Sequence, residues 1–285
     1  MRFLKSKRSV LVNSFAKINL YLEVLARRPD GYHEIDTIFS TISLHDSLKF
    51  ALTKKPGIKM LCNIPELASQ DNLVYKIAMR VLNDFEVKSG VEIFLKKKIP
   101  IAAGLGGGSS NAAVTFLALN KLFGLKMGLD YAKRTAAEYG SDINFFFTGG
   151  IAEGSGRGEC VHPLPDEPEM DLLLVNPGLA ISSKEAYESV DFTASPPANS
   201  KLWFNRLEEG VAQKYPVIRE VIVTLIELGA ERAMMSGSGS TCIAFFEDKN
   251  LLIKAQKHFQ EFNMWSETVK TLKRSDYLKC IPSLS

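Results

Sequence analysis

What this chain has little of narrows its chemistry before any motif is weighed. Its four cysteines (Cys62, Cys160, Cys242 and Cys280) lie far apart, with no Cys-x-x-Cys pair and no Cys/His cluster. That spacing argues against a disulfide-framed secreted scaffold and against a zinc ribbon, so a reduced, cytoplasmic protein without structural zinc is expected. No apolar run is long enough to span a bilayer. The basic start, MRFLKSKRSVLVN, lacks the apolar stretch and small-residue cleavage site of a signal peptide and reads as a short arm entering a strand. Charge of one sign is scarce too. The net charge is +3 and basic residues are scattered apart from Lys96 to Lys98, which argues against nucleic acid as a partner. Internal repeats and low-complexity segments are absent. What is present, 46% hydrophobic and 24% charged over 285 residues, makes a globular chain with ample core, as one large domain or two smaller ones.

The most informative stretch runs from Lys96 to Gly124, KKKIPIAAGLGGGSSNAAVTFLALNKLFG. A strand over Val91 to Ile99 leads into Pro100, then a loop with glycine at 104, 106, 107 and 108, then Ser109, Ser110 and Asn111 ahead of an apolar run at helical spacing. Glycines reach positive φ without a Cβ clash, so backbone N–H groups can turn toward a ligand. Serine and asparagine are N-cap residues, and a helix start offers unpaired N–H groups and partial positive charge. Together these describe a site for phosphate oxygens. It is neither of two common phosphate loops. GxxxxGK[ST] fails because no lysine separates the glycines from the serines, and GxGxxG fails because its last position falls on Ser109 or Asn111. A flexible glycine linker is the alternative.

Strands are expected over Ser9 to Phe15, Ile18 to Ala26, Ile35 to Ser43, Leu48 to Thr53 and Ile58 to Cys62. A helix capped by Asp71-Asn72 covers LVYKIAMRVLNDF, and another runs from Leu129 to Tyr139, closed at Gly140. The prolines and acids around Asp166 to Pro168 read as a boundary. Beyond it come a strand at Leu172 to Val175, a short helix at Ser183 to Val190, a loop at Ser195 to Ser200, and two helices from Leu202 to Leu228 broken near Pro216. Strand–loop–strand from Ala233 to Phe246, a helix from Leu251 to Phe262 and a strand from Ser266 to Leu272 complete the order. The pattern is α+β in two lobes, divided as 1–165 and 166–285.

Several polar residues stand out, each with two readings. Lys17 and Asn19 share one face of the segment SFAKINL. A lysine in an apolar strand is paired or snorkelling, or else guards a sheet edge. Tyr32-His33 leaves the turn Pro29-Asp30-Gly31, placed either to stack on and hydrogen-bond a flat polar ring or simply half-buried. Asp142 follows the helix stop Gly140 and precedes an apolar run, as a helix cap or a catalytic base. The run Lys96 to Lys98 reads as a solvated strand end or, with Asp71-Asn72, as a neighbour of a nucleotide base.

Taken in order, SFAKINL, PIAAGLGGGSSNAA and AMMSGSGST resemble the three motifs of the GHMP kinases (galactokinase, homoserine, mevalonate and phosphomevalonate kinases), over nearly the whole chain. AKINL, RPDGYHE, DNLVYKIA, GSDINFF and SSKEAY are similar to the branch that phosphorylates the 2-hydroxyl of a cytidine-diphosphate-linked methylerythritol in non-mevalonate isoprenoid synthesis. The resemblance implies a two-lobed fold, with an N-terminal lobe like ribosomal protein S5 that binds ATP and a ferredoxin-like C-terminal lobe. It implies Asp142 as general base with Lys17 as its partner. The ATP phosphate loop would comprise Pro100, Ile101, Ala102, Ala103, Gly104, Leu105, Gly106, Gly107, Gly108, Ser109 and Ser110, with Ser110 able to approach a metal. Asn19, Tyr32, His33 and Tyr187 fall at substrate positions, the two tyrosines sandwiching the cytosine while His33 reads its edge. Gly237 to Ser240 match the third motif. No acidic residue stands out as a second metal ligand, so Mg²⁺ is expected to be carried mainly by ATP and no protein metal site is assigned. The expected partner is a small molecule rather than a nucleic acid or a membrane, with the chain a monomer or weak homodimer. Where the family has Asp-Val-Pro-Phe this chain has Asp142-Ile143-Asn144-Phe145, which frees one φ angle and adds an N–H. Another small-molecule GHMP kinase would have no use for a cytosine clamp, and a non-catalytic relative would lack the lysine–aspartate pair or the glycine loop.

Overall fold

The alternating apolar residues between Ser9 and Thr53 form one long antiparallel hairpin in the computed structural model, which describes residues 8–192 and 202–283. The basic N-terminal arm and the loop expected over Ser195 to Ser200 lie outside the described residues. Strand β1 (Ser9–Arg27) and strand β2 (His33–Thr53) turn at Asp30-Gly31, each running unbroken where two shorter strands were expected. Register shifts between Phe15 and Lys17 and between Asn19 and Tyr21 explain the false break in β1. The first puts two extra residues on β2 (Phe15 pairs with His45, Lys17 with Thr41) and the second one extra residue on β1, so the pairing pattern breaks while the strand continues.

Downstream come β3 (Ile58–Cys62), α1 (Leu73–Asp84), β4 (Gly90–Lys96), α2 (Gly107–Phe123), α3 (Leu129–Ala137), α4 (Phe145–Thr148), β5 (Ile151–Ser155) and β6 (Cys160–Pro163). Asn72 caps α1 as expected, its Oδ1 accepting from the Val74 N–H at 2.9 Å. After these follow β7 (Asp171–Asn176), α5 (Ser183–Glu188), β8 (Phe204–Asn205), α6 (Arg206–Lys214), α7 (Val217–Glu227), β9 (Arg232–Met235), β10 (Cys242–Phe245), α8 (Lys249–Glu261), β11 (Trp265–Lys270) and α9 (Arg274–Lys279).

Among the described residues these strands form two sheets. The first has the order β3-β4-β2-β1-β8, with β5 paired to the other half of the β2 edge and β6 beyond it. Helix α2 is buried on nearly every face between this sheet and its neighbouring helices, as its all-round apolar sequence requires. The second sheet, β11-β7-β10-β9, is antiparallel throughout. Strand β7 is buried on both faces: Leu173 and Val175 join the core with α7 and α8, while Leu172 and Leu174 meet Ala16, Ile18 and Leu20 of β1. Each such leucine contributes about 1.5–3 kcal/mol by leaving water.

The chain passes from the first sheet to the second between Pro163 and Asp171, then crosses back twice. Strand β8 lies parallel to β1, Tyr21 opposite Phe204, and α9 returns to seat the fully buried Tyr277 against Gly149, its hydroxyl donating to the Phe146 carbonyl at 2.5 Å.

Candidate active site

The glycine loop lies between the two sheets. Its carbonyls are held on one side by β1, where the Lys17 N–H donates to Leu105 O at 3.0 Å. On the other side the third motif holds it, with Ser236 Oγ and the Thr241 N–H donating to Gly104 O and Ala103 O at 3.3 and 3.4 Å. Gly104 has φ 74°, and a Cβ there would stand 2.0 Å from Ser236 O, so glycine alone allows the two loops to meet.

Helix α2 begins without the expected side-chain cap. Its N-cap is Gly106, left-handed at φ 65°, and a Cβ there would fall 2.9 Å from Lys17 Cγ. The first-turn N–H groups, which have no partner within a helix, belong to a turn whose residues 107, 108 and 109 line a cavity of about 900 Å³. Pro100 to Gly106 line the same cavity, so all but one of the eleven residues expected in the phosphate loop are there. The exception is Ser110. It is fully buried, its Oγ 2.7 Å from Ser14 Oγ, and its N–H is spent on Gly106 O, so its hydroxyl does not reach toward a metal in the cavity.

The serines and asparagine serve a different purpose, which sequence reasoning missed. Asp46 of β2 is fully buried and accepts from Lys97 Nζ at 2.5 Å, from the Lys98 and Ile99 N–H groups at 2.7 and 2.9 Å, and from Asn111 Nδ2 at 2.9 Å. Asn111 also donates to Ser14 Oγ at 2.8 Å. One carboxylate thus fixes the chain entering the glycine loop and the helix leaving it. Lys97 is correspondingly a buried ion-pair partner rather than part of a solvated strand end, its side chain 6% exposed. A signal existed: Asp46 occupies the inward slot of the series Ile42, Leu44, Asp46, Leu48, Phe50, where a carboxylate needs a buried cation.

Lys17 and Asn19 meet as their spacing on β1 predicts, Nζ to Oδ1 at 2.6 Å. The ammonium is 3.2 Å from Asp142 Oδ2 and lies over the Phe39 ring at 5.4 Å. Only 4% exposed, Lys17 does not guard an edge. Asp142 sits in a single 3-10 turn, Ser141–Asn144, whose start carries no side-chain cap, so the capping alternative is not realised. Its side chain is one-third open toward the cavity. Asn19 is oriented by its Nδ2 donating to Thr37 Oγ1 at 2.7 Å.

Tyr32, His33 and Tyr187 line the same cavity, but their rings pair differently from the expected sandwich. Tyr187 lies parallel to His33, centroids 5.2 Å apart and planes at 17°, while Tyr32 is exposed and has the Arg157 guanidinium 4.7 Å from its ring centre. Burial, then the charge of Arg27, pushes the His33 imidazole below its usual 6.5. It therefore stays neutral near pH 7, with one nitrogen as donor and one as acceptor. Protonation opposes folding, so the stability His33 contributes is complete above about pH 6.5 and is lost as pH falls through the lowered value. An NMR titration should find its midpoint below 6.5; a midpoint above that would contradict the burial argument. The Tyr187 phenol is pushed well above its normal range by burial and then by the charge of Asp142.

No group of three or more His, Cys, Asp or Glu among the described residues is arranged to hold a metal ion. The cavity joins a helix start, the buried Lys17 ammonium and the accessible Asp142 carboxylate, a set suited to a ligand that brings its own anionic oxygens.

Comparison with known proteins gives the same picture. Residues 72–152 match the model for the GHMP kinases N terminal domain and residues 191–263 that for the GHMP kinases C terminal domain. A 4-diphosphocytidyl-2-C-methyl-D-erythritol kinase of Thermodesulfovibrio yellowstonii is 39% identical, covering 91% of this chain and 96% of its own, and one of Solibacter usitatus is 36% identical over 88% and 86%. A crystal structure of 4-(cytidine 5'-diphospho)-2C-methyl-D-erythritol kinase superposes with a TM-score of 0.80 at 32% identity, over 91% of this chain and 99% of that one. Homoserine kinase from Cytophaga hutchinsonii, 18% identical with a TM-score of 0.69 over 96% and 97% of the two chains, shares the fold. The chain is a small-molecule kinase and belongs to the 4-diphosphocytidyl-2-C-methyl-D-erythritol kinase family of the GHMP kinases.

Proposed function

We propose that this kinase transfers the γ-phosphoryl group of ATP to the 2-hydroxyl of 4-diphosphocytidyl-2-C-methyl-D-erythritol, a step in isoprenoid precursor synthesis, with Asp142 as general base and Lys17 as its partner. The observation that carries the reading is the contact of 3.2 Å between Lys17 Nζ and Asp142 Oδ2 in a cavity lined at one side by the start of α2 and at another by Tyr32 and His33. As the hydroxyl oxygen attacks phosphorus and the bond to the β-phosphate oxygen breaks, its proton passes to Asp142. Lys17 opposes the charge gathering on the transferring group. The glycine loop and first turn of α2, Gly106 to Ser109, hold the phosphate oxygens, with little covalent work left to the protein. Mg²⁺, carried mainly by ATP, would neutralise the same oxygens when bound. Residues 1–165 would form the ATP-binding domain and 166–285 the C-terminal domain. Asn19, His33 and Tyr187 would orient the substrate, His33 reading the cytosine edge.

ADP release from MgATP, assayed in turn with the cytidyl substrate, homoserine and mevalonate, tests this reading. Turnover with the cytidyl substrate alone is expected. Turnover with another alcohol would sink the cytosine site while leaving the kinase, and ATP binding without turnover on any of the three would sink the catalytic assignment.

A further inference from the structure

We propose that Arg157, in the turn between β5 and β6, binds the diphosphate of the cytidyl substrate; the inference rests on the substrate reading above. The ligand has a fixed order: base, ribose, diphosphate, then the alcohol that reacts. The site has a matching order. The guanidinium of Arg157 lies 4.7 Å from the Tyr32 ring centre, and both residues line the cavity with His33, which would take the base. The next residue of the turn, Gly158, approaches the reacting end, where an added Cβ would stand 3.6 Å from Asp142 Oδ1. A turn that touches Tyr32 through one residue and approaches Asp142 through the next runs past the middle of the ligand, where two phosphate groups need a counter-charge.

Other cations lining the cavity are already committed or lie at its margin. Lys17 is held by Asn19 and Asp142, and Lys97 by the buried Asp46. Arg27 is exposed at the far end of β1, and Lys184 is 84% exposed and 3.9 Å from Glu188. Arg157 is half-buried and its one ion pair, to Glu159, lies within its own turn, which holds the guanidinium in place at the cavity wall. Its Nε is 3.4 Å from Glu159 Oε1, whereas the other oxygen of Glu159 accepts the Arg157 backbone N–H at 2.6 Å. Nη2 donates to Ala137 O at 3.3 Å. The turn itself is anchored to β2 by the Ile35 N–H donating to Gly156 O at 2.8 Å, and Asn144 Nδ2 donates to Glu159 O at 3.1 Å. A planar guanidinium held in this way suits the paired oxygens of a diphosphate.

The test compares binding of cytidine, CMP and CDP by calorimetry, with the ATP site filled by MgADP, to the unaltered protein, Arg157→Lys and Arg157→Met. The unaltered protein should bind CDP more tightly than cytidine. Arg157→Met should bind cytidine within about twofold but CDP about 10- to 100-fold more weakly, the loss of a charge-assisted contact. Arg157→Lys should keep part of the gain. Two results would overturn the proposal while leaving the substrate reading intact: an undiminished CDP gain in Arg157→Met, or equal weakening of cytidine and CDP, which marks a support for Tyr32 and nothing more. Failure of the unaltered protein to bind any of the three would overturn the cytidyl reading and this proposal together.

Discussion

Replacing Asp142 with asparagine should lower kcat by about 10²–10⁴-fold while changing KM for ATP and for the phosphoryl acceptor little. Asparagine keeps the size and the hydrogen-bonding capacity of the side chain but cannot take the proton of the attacking hydroxyl. The partner Lys17 keeps Asn19 Oδ1 at 2.6 Å and the Phe39 ring, so its ammonium is not left bare and the pocket should hold its shape. Steady-state kinetics with a circular-dichroism check of folding decides it. A fall of less than about tenfold would remove Asp142 from the role of base.

Asp46→Ala should have the largest effect on stability. It strands the Lys97 ammonium, 6% exposed, and removes the acceptor for two backbone N–H groups and for Asn111 Nδ2. Breaking a buried pair by deleting one partner costs about 3–5 kcal/mol, chiefly because the remaining charge is uncompensated. For a chain of this size that lowers the melting temperature by roughly 10 °C. The same change frees both ends of the glycine loop, so KM for ATP should rise in the folded fraction. Thermal denaturation and ATP titration are the measurements. A loss under about 1 kcal/mol with unchanged ATP affinity would mean that the network is replaceable by water.

Side chains that act locally were legible in the sequence. Asn72 caps α1, and Lys17 and Asn19 meet because residues two apart on a strand share a face. The motif order groups the glycine loop, Lys17 and Asp142, and all three line one cavity. What was hidden depended on distant partners. Ser110 and Asn111 look like caps, yet their partners are Ser14 and Asp46, on strands formed much earlier in the chain. Register shifts at Phe15/Lys17 and Asn19/Tyr21 interrupt the pairing of β1 with β2 without ending the strand, so one strand read as two. The ring pairing of His33 with Tyr187 depends on how α5 is set against the start of β2, which neither local pattern contains.

The return of α9 to the first sheet bears on how the protein is made. Tyr277 packs directly on Gly149, where an added Cβ would stand 2.0 Å from its ring. During translation, residue 149 leaves the ribosome long before residue 277 is polymerised. The α2 layer and its sheet therefore wait with an uncovered apolar slot while the second sheet is synthesised, and the late-arriving tyrosine closes a part of the molecule made earlier. Stalled or truncated nascent chains lacking that helix would present this slot to chaperones, whichever sheet they had already completed.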